Sequence, residues 1–237
     1  MENDDAITRR TLLRTAAATG GGAVLTNLML TNLMMRNTLM AEEQTPVKTY
    51  KNSDFYDADG KFQVEKAKEA YFDMMRRFHY PIPESLRKGM WVLEFGLNDF
   101  VNVGMAGIFW YNDQKNGYFG HEIFLLPNQM IAEHAHEKTE KGKAKMEAWH
   151  VRHGMIHTFG EGEPTEPCPV KTPASQKDFI TVKHVTILKE GELAALQRET
   201  AKHFMLSGSE GAIVTEYGTF HDNDGLRFTN PGVKLTL

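Results

Sequence analysis

Between residues 62 and 79 the apolar positions Val64, Ala67, Ala70, Tyr71, Met74 and Met75 recur at helical spacing, and the pattern stops at Tyr80-Pro81-Ile82-Pro83. One helix is therefore predicted over 62–79. Beyond it the pattern shortens to β-type runs at 90–95, 101–111, 118–126, 129–136, 145–153, 155–159, 179–188, 203–206 and 212–219. Turn signals divide them, among them Asn112-Asp113, Asn116-Gly117, Pro127-Asn128 and Ser207-Gly208. Gly154 is read as turning the chain between two of these runs, and 190–198 as a helix-like turn. Many short strands with no repeated crossover helices predict an all-β domain, an antiparallel sandwich or closed barrel, preceded by one N-terminal helix. No internal repeat or low-complexity linker interrupts it.

The N-terminal pattern differs. Thr8-Arg9-Arg10-Thr11-Leu12-Leu13-Arg14 precedes a small and apolar run over 15–35, the arrangement of a twin-arginine export signal. Asn27, Thr31 and Asn32 interrupt that run too often for a good membrane span. Residues 1–41 are accordingly expected to be an export signal cleaved near Ala41. The mature protein is then periplasmic or otherwise exported and has no membrane span. Residues 42–61 are polar and turn-rich, an N-terminal extension to a single domain over 62–237.

Composition narrows the chemistry. The 27 basic and 31 acidic residues nearly balance, and no clustered positive charge suggests a nucleic-acid partner. The single cysteine, Cys168, stands in a Pro-rich stretch. It allows neither an intrachain disulfide nor a thiolate metal site, so histidine and carboxylate must carry any metal chemistry.

His134 and His136 stand one residue apart in a β-type run, and strand alternation sends both imidazoles to one face. Lys145 and Glu147 share a face of the next run, which brings a carboxylate from a neighbouring strand. His203 opens a later run as the fourth candidate ligand. Three histidines and one carboxylate leave coordination positions open for substrate, as a catalytic site requires. Glu140 competes with Glu147, but it lies in the solvated run Glu137-Lys138-Thr139-Glu140-Lys141, whereas Glu147 directly precedes Ala148-Trp149-His150-Val151. His150, His153 and His157 are read as exposed or supporting residues. A protein exported already folded loads its ion before export, which favours manganese or iron where zinc and copper would otherwise compete.

The stretches Glu133-His134-Ala135-His136, Lys145-Met146-Glu147, and above all His203-Phe204-Met205-Leu206-Ser207-Gly208-Ser209-Glu210-Gly211-Ala212-Ile213-Val214-Thr215-Glu216 with Arg227-Phe228-Thr229-Asn230-Pro231 resemble the D-lyxose isomerases of the cupin superfamily. The resemblance covers roughly residues 62–237. It implies a jelly-roll-like cupin barrel and an aldose–ketose isomerase that interconverts D-lyxose and D-xylulose. It also implies manganese as cofactor, with iron, cobalt and zinc as alternatives, a monosaccharide substrate and a homodimer. By the same matching, His134, His136, Glu147 and His203 take the ligand positions, Lys145 is the catalytic lysine, and Glu216 is the proton-transferring glutamate. Asp222 and Asp224 are expected to bind sugar hydroxyls. The export signal and the Pro-rich insert over 161–175 depart from this pattern; the insert is expected to reshape the mouth of the pocket. Isomerisation moves a proton between C2 and C1 through an enediol, which calls for a Lewis acid and a positioned general base. A non-enzymatic periplasmic sugar- or metal-binding cupin and an iron-dependent cupin dioxygenase are the alternatives.

Overall fold

The computed structural model describes residues 46–235, so the export segment expected over 1–41 lies outside the described residues. Helix α1 (Val64–Arg77) buries Ala67, Ala70, Tyr71 and Met74, the stripe that its spacing predicts. Arg76 and Arg77 occupy its last turn, where cations favour the helix dipole. His79, at φ 52°, carries the chain out of the helix just ahead of Pro81. A second helix, α2 (Glu84–Gly89), follows Pro83. One helix was expected; six residues are too few to display a period. No helix among the described residues is long and apolar enough to cross a membrane.

Among the described residues nine strands follow: β1 (Trp91–Leu93), β2 (Met105–Asp113), β3 (Tyr118–Leu125), β4 (His134–His136), β5 (Glu147–Gly160), β6 (His184–Lys189), β7 (Leu193–Ala195), β8 (Phe204–Thr219) and β9 (Leu226–Phe228). The larger sheet runs β1-β2-β3-β8-β5-β6, with β7 also on β5, and all these pairs are antiparallel. Strands β4 and β9 form a second small sheet, joined to the start of β8 by a bridge between His134 and His203. The architecture is all-β, as the pattern predicts.

Several element boundaries differ from expectation. The runs at 145–153 and 155–159 form one strand, β5, and Gly154 lies inside it at φ 77°. A Cβ there would meet the carbonyl oxygen of Gly211 at 2.2 Å. Gly154 is therefore a bulge at a close strand crossing, not a turn. The runs at 203–206 and 212–219 likewise join through Ser207-Gly208 into β8. Residues 190–198 contain no helix. Gly191, at φ 85°, turns β6 into β7, and Ala195 pairs with Ala148 of β5. Cross-strand pairing overrides the helical preference of Leu and Ala there. The first four residues of 101–111 precede β2, residues 179–183 precede β6, and β9 was not predicted.

Strand β3 shows how the sheet is used. Phe124 and Leu126 face a cluster containing Tyr71 and Met75 of α1, while Ile123 and Leu125 face a second cluster with Trp149, Val151 and Val214. Burial on both faces explains the continuous apolar run Ile123-Phe124-Leu125-Leu126. The Tyr71 hydroxyl donates to Gln129 Oε1 at 2.7 Å inside the protein, fixing the helix to the segment between β3 and β4. Residues 46–61 belong to the same compact unit, with Phe55 fully buried against Phe100.

Candidate metal centre

The antiparallel bridge places two candidate ligands side by side: the backbone N–H of His134 donates to the His203 carbonyl at 3.0 Å, and that of His203 returns to His134 at 2.9 Å. His136 follows two residues later on the same face of β4, and Glu147 enters at the start of β5. One donor atom from each of His134, His136, Glu147 and His203 lies within 4.8 Å of all the others. Glu140, the competing carboxylate, is exposed on the loop after β4.

The donor chemistry fits a divalent cation. His134 and His203 each direct Nδ1 to a backbone carbonyl, Ala132 and Ala201 respectively, both at 2.9 Å. A carbonyl only accepts, so Nδ1 carries the hydrogen and Nε2 is the atom left to face the cluster. Burial would lower His203, but Glu147 holds it above the usual histidine range, so a cation binding there would displace a proton from Nε2. The Nε2 atoms of His136 and His203 are buried without a hydrogen-bond partner. They lie 3.4 and 2.5 Å from Glu147 Oε1, close in distance but not in hydrogen-bond geometry. Donor atoms that converge without bonding one another are arranged to share a third body. Burial and the neighbouring His203 and His136 hold His134 well below the usual histidine range, in its lone-pair form. Burial alone would raise Glu147, but Lys145 and the two histidines outweigh it and keep the carboxylate ionised.

Beside this cluster lies a second buried charge group. Lys145 Nζ stands 2.7 Å from Glu147 Oε2 and donates to Glu216 Oε1. Its stem crosses Gly218, where a Cβ would come within 3.1 Å of Cε, and its ammonium sits over the Phe119 ring. Burial would lower the lysine, but Glu147 and Glu216 raise it above its ordinary value, so it stays charged. The other oxygen of Glu216 lies 3.1 Å from Nδ1 of His121, which is the register partner of Glu216 on β3. Burial lowers His121 and keeps it neutral, so Nδ1–H is the donor to the carboxylate. Lys145 and His121 thus hold one oxygen of Glu216 each.

These groups line one cavity with Trp91, Phe109, Trp149, Phe228, His221 and Asn223. The structure brings together His134, His136, Glu147, His203, Lys145 and Glu216. Asp222 and Asp224 do not line it: Asp222 accepts from Thr139 Oγ1 at 2.7 Å, and Asp224 pairs with Lys141 at 2.6 Å on the surface. Residues 161–175 do not line the cavity wall. His150 lies on the outer face opposite Glu147, His153 stacks on Phe78, and neither they nor His157 line the cavity. Cys168 is free and exposed. His121, Trp91 and His221 were not predicted as wall residues. Alternation along β3 marks His121 as inward, but only its register with Glu216 reveals the contact.

No protein-family model matches the chain. It is 29% identical over 174 residues to a D-lyxose/D-mannose isomerase of Thermosediminibacter oceani, covering 73% of this chain and 94% of that protein. It is 28% identical over 169 residues to a D-lyxose ketol-isomerase of Cohnella laeviribosi, covering 71% and 91%. In three dimensions it is similar to L-ribose isomerase of Cellulomonas parahominis, with a TM-score of 0.56 at 14% identity over 70% of this chain and 90% of that one. The fold is a cupin barrel. The cupin architecture places its candidate metal ligands on the inner faces of β4 and β5 and at the threshold of β8.

Proposed function

We propose that this chain is a metal-dependent aldose–ketose isomerase that converts D-lyxose to D-xylulose by proton transfer through an enediol. The observation that carries this reading is the buried Lys145–Glu216 pair beside the four converging donor atoms. A protein that only bound a sugar or an ion would have no use for a buried base held against that site. The names of the relatives support the reaction class and D-lyxose as the substrate.

A divalent ion held by His134, His136, Glu147 and His203 would supply Lewis acidity to the sugar's carbonyl and adjacent hydroxyl oxygens. Glu216 removes the proton from C2 and returns it to C1, its carboxylate held by Lys145 and His121 so that little reorganisation accompanies transfer. Lys145 donates toward the oxygen on which charge develops, at a buried position where such a donor acts strongly. Trp91, Phe109 and Phe228 give the cavity wall an apolar surface. We assign manganese as the ion, since a nitrogen- and oxygen-donor set loaded before export suits it. The homodimer implied by the resemblance belongs to the same proposal, as does periplasmic location through the twin-arginine segment. Substituting lysine for both Arg9 and Arg10 is expected to abolish export of a fused reporter that functions only when exported folded; continued export contradicts it.

The test of function is a panel of pentoses and hexoses incubated with manganese-loaded protein, with chromatographic detection of the ketose. Xylulose from D-lyxose is expected. No ketose from any sugar, or oxygen uptake by anaerobically iron-loaded protein, would displace isomerisation in favour of a binding protein or a dioxygenase.

A further inference from the structure

Beyond the proton-transfer groups, one wall residue is held in a fixed orientation with an unused acceptor. His221 follows β8 in the loop that leads to β9. Its backbone is clamped from both sides by Asn112: Nδ2 donates to the His221 carbonyl at 2.9 Å, and the His221 N–H donates to Oδ1 at 3.0 Å. Its ring stacks on Phe119 at 5.3 Å and 23° and lies 5.3 Å from the Phe109 ring. On one side Nε2 meets Asn223 Oδ1 at 2.8 Å. An amide oxygen only accepts, so Nε2 carries the hydrogen and Nδ1 presents a lone pair. That Nδ1 is buried and has no partner. The ring centre is 6.1 Å from that of His136, and both His221 and Asn223 line the cavity that holds the four candidate metal ligands. Burial and the nearby Lys145 push His221 down to about 4, so the imidazole is neutral at ordinary pH.

We infer that His221 is a substrate-binding residue whose Nδ1 accepts a hydrogen bond from a sugar hydroxyl, at a carbon beyond the two between which the proton moves. This deepens the isomerase reading and rests on it. A neutral, fixed acceptor suits an uncharged polyol, because it takes an O–H without requiring a charge on the ligand. A buried acceptor that no protein donor satisfies is unfavourable until a ligand supplies the donor. The specificity follows from the same fact, since a sugar lacking that hydroxyl leaves Nδ1 unpaired. The role expected of Asp222 and Asp224 thereby passes to their loop neighbours on the cavity side, with His221 touching the sugar and Asn223 fixing its tautomer.

The test measures binding separately from turnover. Calorimetric titration of the manganese-loaded protein with a pentitol and its singly deoxygenated analogues is compared between the wild type and His221→Phe, which keeps the ring stack. The wild type is expected to bind one deoxy-pentitol about 10- to 100-fold more weakly than the parent. His221→Phe is expected to bind the parent that much more weakly and no longer to distinguish it from that analogue. Asn223→Leu, which releases the tautomer while leaving the imidazole, is expected to fall between them. Unchanged pentitol affinity in His221→Phe, retention of the wild-type discrimination, or no pentitol binding by the wild type would overturn the inference. Turnover of the corresponding aldoses reports separately on the isomerase reading: a wild type that discriminates pentitols but converts no sugar loses that reading and keeps this one.

Discussion

Replacing Lys145 with methionine removes one charge from a buried cluster while keeping the stem that packs on Gly218 and Phe119. Lys145, Glu147 and Glu216 are each no more than 5% exposed. The ammonium contacts both carboxylates. Its loss leaves two buried carboxylates without their cation, and breaking such a group costs about 3–5 kcal/mol. At roughly 2–4 °C per kcal/mol for a domain of this size, the metal-free variant should melt about 6–20 °C below the wild type. A divalent ion beside Glu147 restores positive charge to the cluster, so the deficit should shrink by more than half in saturating manganese. Metal should therefore raise the melting temperature more in the variant than in the wild type. Thermal unfolding at pH 7.5, in chelator and in manganese, reads both quantities. A deficit below about 1 kcal/mol in chelator, or the same deficit with and without metal, would refute the view that Lys145 balances the metal-facing carboxylate.

Three further outcomes are expected. Glu216→Gln keeps the shape and the lysine contact but removes the basic oxygen, so turnover should fall about 10²- to 10⁴-fold with metal content unchanged; a drop below tenfold refutes the base assignment. His203→Ala should lower manganese occupancy by about an order of magnitude or more, while Glu140→Ala leaves it intact, as elemental analysis of purified protein can check. For His221, with a folded value of about 4 against about 6.5 when unfolded, the unfolded chain takes up the proton first. Its stabilisation is present above about pH 6.5 and is lost as pH falls toward 4. Between pH 7.5 and 4.5, metal-free wild type should lose about 2–3 kcal/mol more than His221→Phe in urea unfolding; equal losses would contradict a buried neutral imidazole.

The legibility of this site follows from which geometry each residue depends on. His134 and His136 were readable because alternation along a strand needs no knowledge of partners, and Glu147 because its apolar neighbours mark a buried strand start. His203 is tied to His134 by a bridge that sequence distance conceals, although the resemblance placed it. The contact between His121 and Glu216 depends on the register of β3 on β8, which no local pattern displays. In the loop after β8 there is no period at all, so the acidic Asp222 and Asp224 drew attention while His221 and Asn223 face the cavity. The fold class survived errors of element boundary because Gly154 and Ser207-Gly208, read as breaks, are irregularities within strands that continue past them.

The central claim is that Glu216 moves a proton through an enediol beside the metal cluster. It is tested most directly by converting D-lyxose with the manganese-loaded protein in deuterium oxide and locating deuterium in the product by NMR. The account predicts D-xylulose carrying solvent deuterium at C1, formed at least 10²-fold more slowly by Glu216→Gln. Xylulose free of label, together with an active Glu216→Gln protein, would contradict it.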